Sequence, residues 1–236
     1  MKLKLLGYRS SSLLGWDALF IIGLLLVVNP NPSCSWLFRK NRRVVRLPDS
    51  FSEAEVHSHF MDIALDQARI AGTDDEVPIG AIVVQRRPDG SHQILSQARN
   101  MVEQKHDASA HAELIAMRKA AKHIQNWRLQ NTTLYSTLEP CPMCLAASQS
   151  FRVSRIVYGA PDLRLGAVHS HIQLLDTPHP FHNIEEVVSD VNNETSANLL
   201  REFFRQRRKK GRHKKPRPSG KGLLGKLRPI FRSRIR

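Results

Sequence analysis

Two short runs constrain this chain more than any other feature: His111-Ala112-Glu113, and further along Pro140-Cys141-Pro142-Met143-Cys144. The chain has three cysteines, Cys34, Cys141 and Cys144. An odd count with one tight pair is no disulfide framework and points to metal or redox chemistry. Each run alone has an ordinary explanation. An H-x-E arises by chance, with its histidine at the surface or capping a helix. A lone C-x-x-C fits a thioredoxin-like site as well as a metal site. Together, each beside a helix start, they require two distant helix openings to meet.

The remainder of the chain says what must bring them together. Hydrophobic residues make up 41% of 236, enough for one core of ordinary size. The net charge of +15 is uneven. Residues 1–48 hold 8 Lys/Arg against 1 acid, residues 49–200 hold 12 against 19, and residues 201–236 hold 16 against 1. A mildly acidic body with two basic ends is the result, so attraction to a polyanion resides at the ends.

Helical spacing of apolar or small residues predicts a helix over 56–71. A β-rich run over 77–84, a Pro-Asp-Gly turn and a second run over 92–96 predict a hairpin. Residues 109–122 read as a helix, 132–138 as a strand, 140–148 as a small-residue helix, 155–159 as a strand and 197–208 as a helix. Helices alternating with strands predict a layered α/β domain over 49–210, with a sheet that mixes an antiparallel hairpin and parallel crossovers. From 211 to 236, Gly, Pro, Lys and Arg dominate, and disorder without a partner is expected. That tail suits RNA, ribosomes or anionic lipid alike.

The first 48 residues differ from the body. Lys2, Lys4 and Arg9 precede an apolar run over 18–28, too short for a bilayer core roughly 30 Å thick. The run fits the h-region of a signal peptide, and the Arg-rich, acid-poor stretch after Trp36 resembles an organelle transit peptide. A two-part presequence of this kind implies a plastid. The alternative is an uncleaved membrane anchor at 18–28, so any membrane contact is confined to this segment.

The spacing within the two motifs has a chemical logic. Cys141 and Cys144, at i and i+3, place both sulfurs on one face of a helical turn. Pro142 fits an early helical position, where a missing N–H costs nothing. The partial positive charge of a helix N-terminus favours thiolates there. With His111 as a nitrogen ligand from the neighbouring helix, three protein ligands leave a fourth zinc position for water, as catalytic zinc requires. Zinc brings the pKa of that water towards ~7. Glu113, not a ligand, is placed to take the water's proton and pass it to a ring nitrogen and a leaving amine. H-x-E followed by P-C-x-x-C is the signature of zinc deaminases.

The stretch from about residue 58 to 210 resembles the bacterial-type tRNA-specific adenosine deaminases of the cytidine/deoxycytidylate deaminase superfamily. The resemblance rests on the runs 76–81, Arg99-Asn100, His106-Asp107, 110–113, Asn126-Trp127-Arg128-Leu129, 133–141, Val157-Tyr158-Gly159-Ala160 and 203–208. It implies a three-layer α/β/α cytidine-deaminase-like domain with a mixed central sheet. It implies one Zn2+ per subunit on His111, Cys141 and Cys144, with Glu113 as the catalytic proton carrier. It places Asn100 in the base pocket and Val77 and Pro78 in its wall. Asp162 and Arg164 are expected against the anticodon loop, and Phe203, Phe204, Arg207 and Arg208 on a C-terminal helix bordering the RNA. One of the two phenylalanines is expected in the core and the other towards the RNA. A homodimer and a tRNA anticodon stem-loop are the implied partners. Pro161 and Leu165 stand where polar residues are common in the family, and His169, His171, His179 and His182 read as solvated loop residues in preference to a second metal site.

The expected reaction is hydrolytic deamination of adenosine to inosine at the wobble position of a tRNA, a tRNA-Arg. The alternative is a zinc deaminase of a free base or nucleoside (cytosine, cytidine or guanine), which needs neither the Phe-Phe-Arg helix nor the basic tail. A catalytically silent RNA-binding subunit would lack Glu113, and a structural zinc module would present four protein ligands.

Overall fold

The computed structural model describes residues 44–214. The apolar run over 18–28 and the tail beyond 214 lie outside the described residues. Six strands form one sheet: β1 (Val44–Val45), β2 (Gly80–Arg86), β3 (His92–Arg99), β4 (Thr132–Leu138), β5 (Arg155–Ala160) and β6 (Glu186–Val188), in the order β1-β3-β2-β4-β5-β6. β2 runs antiparallel to both β3 and β4, whereas β4, β5 and β6 are parallel. The helices are α1 (Glu53–Thr73), α2 (Val102–Lys105), α3 (Ala112–Ile124), α4 (Pro142–Phe151) and α5 (Asn193–Lys214).

Strand side chains alternate between faces, and that alternation divides the interior into two cores. Ala81 and Val83 of β2, Leu134 of β4 and Ile156 of β5 pack with Ile115, Met117 and Leu145 of α3 and α4. Their neighbours Ile82, Val84, Tyr135 and Val157 pack with Phe60, Met61 and Leu65 of α1, and Leu199 of α5 leans on the same core. Sheet between two helical layers is the three-layer α/β/α, cytidine-deaminase-like arrangement with a mixed sheet. α1 starts at a capping box, in which Ser52 accepts from the Glu55 backbone N–H and Glu55 reaches back to the Ser52 N–H.

Several boundaries differ from the sequence expectation. The hairpin's first strand begins at Gly80 and not at Val77, because Pro78 has no N–H to give a ladder. β3 continues to Arg99, paired with Gly80. α3 begins at Ala112, with His111 as its N-cap, and α4 begins at Pro142, with Cys141 as its N-cap. α5 spans Asn193–Lys214, beyond the expected 197–208 at both ends. Val44–Val45, within the segment read as N-terminal, joins the sheet against Gln93 and His92. β6 was not foreseen at all.

At Gly80 the backbone of α1 lies close against β2. A Cβ there would strike the Ala64 carbonyl oxygen and lie 2.6 Å from the Ala68 nitrogen, both rigid helix backbone. Gly80→Ala is therefore expected to destabilise the fold by about 1–3 kcal/mol, measured as a lowered denaturation midpoint with an unchanged slope.

Candidate active site

The topology gathers one set of loops at one edge of the sheet. Since β2 is antiparallel to both neighbours, its start lies beside the ends of β3 and β4. Parallel β5 ends at the same edge, with Leu138 opposite Ala160. Residues 77–79, Asn100, Glu139–Cys141 and the segment after Ala160 are thereby neighbours. The carboxyl ends of strands are where open α/β sheets place their ligand crevices.

At this edge two helices open towards each other. His111 and Cys141 are the N-caps of α3 and α4, and Cys144 lies one turn into α4. His111 Nδ1 stands 3.6 Å from both Cys141 Sγ and Cys144 Sγ. All three donor atoms lie within 4.8 Å of one another, and no other such cluster of His, Cys, Asp and Glu occurs among the described residues. Zinc–sulfur and zinc–nitrogen bonds of ~2.3 and ~2.05 Å at a tetrahedral angle separate sulfur from nitrogen by about 3.6 Å. The donor set thus fits zinc in both chemistry and spacing. The thiols are free, with no disulfide between them.

Their protonation points the same way. A hydrogen bond from Cys144, helped by one from His111, holds Cys141 down to about 4, so it is a thiolate at neutral pH. The bond to Cys141 and burial push Cys144 up. The Cys141 bond also raises His111. Two sulfurs and an imidazole are sharing protons in a space where a dication would compensate all three.

Glu113 sits two residues beyond His111, in the first turn of α3, and is 4% exposed. Its Oε2 has no hydrogen-bond partner in the protein. Burial raises its carboxyl above the ordinary value, against the opposing pull of its own backbone N–H and of His111. Asn100 is likewise buried, with its Oδ1 unpartnered, and its N–H donates to Ile79.

Above these groups opens a cleft of about 840 Å³. Buried Glu113 and Cys141 line it together with half-buried Val77, His111, Asp162 and Phe204 and the exposed Arg164 and Arg208. The Arg164 guanidinium lies over the Phe204 ring at 5.9 Å.

A family of cytidine and deoxycytidylate deaminase zinc-binding regions matches residues 54–160. The tRNA-specific adenosine deaminase of Agrobacterium fabrum is 41% identical over 151 residues, which cover 64% of this chain and 95% of that protein. The chain belongs to the tRNA-specific adenosine deaminases. It is a zinc-dependent, hydrolytic enzyme. The chloroplastic tRNA(adenine(34)) deaminase of Arabidopsis thaliana is 39% identical over 195 residues, 72% of this chain but only 14% of that much longer protein. A solved structure from studies of A-to-I editing by tRNA:A34 deaminases at the wobble position superposes with a TM-score of 0.56. It is 40% identical, over 61% of this chain and 99% of the other.

Three of the residues expected at the deaminase site stand apart from the cleft lining. Pro78 backs onto Gly72 of α1. Asn100 is buried next to the lining residue Ile79, whose carbonyl accepts its N–H. Arg207 turns away: it pairs with Asp75 at 3.4 Å, donates to the Asp75 carbonyl and stacks on Phe203 at 5.2 Å. It ties α5 to the end of α1. Neither Phe203 nor Phe204 enters a core; both are half-buried, against the expectation that one would. The loop histidines do not converge on a metal site. His169 bonds to the Tyr158 hydroxyl and His182 to the Val153 carbonyl.

Two buried acids were not foreseen as part of the site. Glu76, 1% exposed, accepts the Gln104 N–H and so binds the loop before β2 to α2. Glu139, 2% exposed, accepts backbone N–H groups from Asp162, Val168, His169 and Ser170. Burial works to raise the Glu139 carboxyl, but these bonds and the Ser170 hydroxyl outweigh it and hold it below the ordinary value. An acid set at the end of a fully buried strand was the available signal, since it could not be solvated there.

Cys141→Ala is expected to weaken zinc binding by more than about 10-fold, as even residues behind metal ligands contribute 10–100-fold. Metal analysis of the purified variant, against one zinc per chain in the unsubstituted enzyme, checks this.

Proposed function

We propose that this enzyme converts adenosine to inosine at the wobble position of a tRNA-Arg, gripping the anticodon stem-loop in the 840 Å³ cleft. The shape and lining of that cleft carry the reading. Its inner end is a buried deaminase site, and its outer end is an aromatic and cationic rim of Arg164, Phe204 and Arg208. A free base needs only the inner end. Aromatic faces beside arginines suit unstacked bases and phosphates. An anticodon loop offers a base already out of a duplex at little unstacking cost.

When bound on His111, Cys141 and Cys144, zinc supplies the positive charge that makes water nucleophilic near neutral pH. Glu113 takes a proton from the attacking water and delivers it to N1 of the adenine ring. It then moves the second proton to the departing amine. The C6–O bond forms, the C6–N6 bond breaks, and one water is consumed for each ammonia released. Burial favours this role, because it raises the carboxyl above its ordinary value and so strengthens its hold on a proton taken from water. Asn100 offers its unpartnered Oδ1 to the polar edge of the base. Val77 forms part of the pocket wall and Pro78 holds that wall against α1. Asp162, Arg164, Phe204 and Arg208 meet the RNA, while Arg207 anchors the helix that carries Phe204 and Arg208.

We also propose a homodimer. Trp127, Met143 and Phe181 expose apolar surface at 47%, 37% and 77%, and Arg128 and Arg152 stack on the Trp127 ring. The residues before β1 would act as a plastid-targeting segment, a reading supported by the chloroplastic relative, with β1 to the end of α5 as the deaminase domain and the residues after it as a basic tail. No helix among the described residues is long and apolar enough to cross a membrane.

The test is inosine formation, quantified by mass spectrometry, in an arginine-tRNA anticodon stem-loop carrying adenosine at the wobble position. Glu113→Ala is expected to lower the rate at least ~10²-fold while retaining zinc. Turnover of free cytosine, cytidine or guanine, with none of the stem-loop, would establish the small-molecule alternative instead.

A further inference from the structure

Glu139 occupies an unusual position. It lies between the last residue of β4 and the Pro140-Cys141 pair, so it stands two residues from a metal ligand. Among the described residues no Lys or Arg forms a salt bridge with it. A buried carboxylate without a cation is costly unless hydrogen bonds saturate it. Here five do. Oε1 accepts from Val168 N at 3.1 Å, His169 N at 2.8 Å and Ser170 N at 3.0 Å. Oε2 accepts from Asp162 N at 3.0 Å and from the Ser170 hydroxyl.

All five donors belong to one loop, residues 161–170. That loop also supplies Pro161, Asp162, Leu163, Arg164 and Leu165 to the outer wall of the cleft. It holds few apolar anchors along this wall; Leu163 is 78% and Leu165 48% exposed. Ala167 and Val168 fix its far end in the core, and polar bonds centred on the carboxylate shape the stretch along the cleft. Gly166 completes the fit. A Cβ at this position would collide with Glu139 Oε2 and come within 2.7 Å of the Asp162 carbonyl. The same turn is fastened to the metal-ligand strand by Ala167 N to Pro140 O at 2.9 Å and Glu139 N to Ala160 O at 2.8 Å.

We propose that Glu139 is a positioning residue for the RNA: its carboxylate folds loop 161–170 and sets the outer cleft wall at a fixed distance from the metal ligands. This rests on the proposed tRNA substrate. Glu139 lines the cleft, but both of its oxygens are taken up by donors of the loop. It acts through Asp162 and Arg164, which it holds in register with Phe204 across the cleft. A small substrate occupying only the inner end would not sense it.

Glu139→Gln keeps the size of the side chain but turns one acceptor into a donor facing backbone N–H groups. Ser170→Ala, a milder change, removes one of the five bonds and leaves the fold's cores untouched. Steady-state kinetics on the arginine-tRNA stem-loop should show KM raised about 10-fold or more in Glu139→Gln, a smaller rise in Ser170→Ala, and kcat and zinc content within about 3-fold of the unsubstituted enzyme in both. Trypsin provides a reading independent of activity. Cleavage after Arg164, followed by mass spectrometry, should be faster in both variants, because protease access reports local opening of the loop. Unchanged KM together with unchanged protection of Arg164 overturns the proposal. So does a joint loss of zinc and kcat in both variants, which would make Glu139 a support for the metal ligands. If the unsubstituted enzyme fails on the stem-loop, the tRNA reading falls alone, and the Arg164 protection still decides what Glu139 does to the loop.

Discussion

The antiparallel placement of β2 between β3 and β4 governs what every loop of this enzyme can do. With β4 and β5 parallel, that one reversal brings the entry to β2 and the exits of three strands to a single edge. Two helices then open at that edge, and each is capped by a metal ligand. The orphan N–H groups and partial positive charge of both helix starts are thus aimed at the place where thiolate and carboxylate charge gathers. Slipping β4 by one residue would turn Leu134 from its core and Tyr135 from the other. The burial of both faces therefore also holds Cys141 at the correct height against His111.

Three buried glutamates at this edge show how surroundings set the work of one residue type. Glu139 has every oxygen saturated and serves as the fixed centre of a loop. Glu76 uses one oxygen on Gln104 and leaves the other unpartnered, joining the loop before β2 to α2. Glu113 also has an unpartnered oxygen, lies beside the metal ligands and is pushed towards its neutral form by burial. Saturation by N–H groups favours a permanent charge, whereas burial with a free oxygen favours proton exchange. Only the last arrangement suits catalysis.

The cations of α5 divide by angle. Successive residues on a helix point about 100° apart, so Arg208 reaches the cleft while Arg207 reaches Asp75 at the end of α1. Lys210 adds to the same anchor at 3.8 Å. A basic helix thereby fastens itself to an acidic body with one face and presents charge to the cleft with the other. Phe203 and Phe204 follow the same division, one stacked beneath Arg207 and the other across from Arg164.

The metal-binding chemistry was legible in the sequence because it is local. An N-cap histidine with a carboxylate two residues on, and two cysteines one turn apart, carry their geometry in their spacing. The long strands and helices were legible through their periodicity, as was a mixed sheet. Strands of two and three residues such as β1 and β6 have no period to read, and they form only because a neighbour offers an open edge. Val77 has β propensity, yet Pro78 denies the ladder a donor and moves the strand start to Gly80. The direction of Arg207, the loop gathered by Glu139 and the unpartnered oxygens of Asn100 and Glu113 were settled only by tertiary structure. Each depends on groups far apart in the chain, and no spacing along a sequence encodes which of them will be brought within a hydrogen bond of one another.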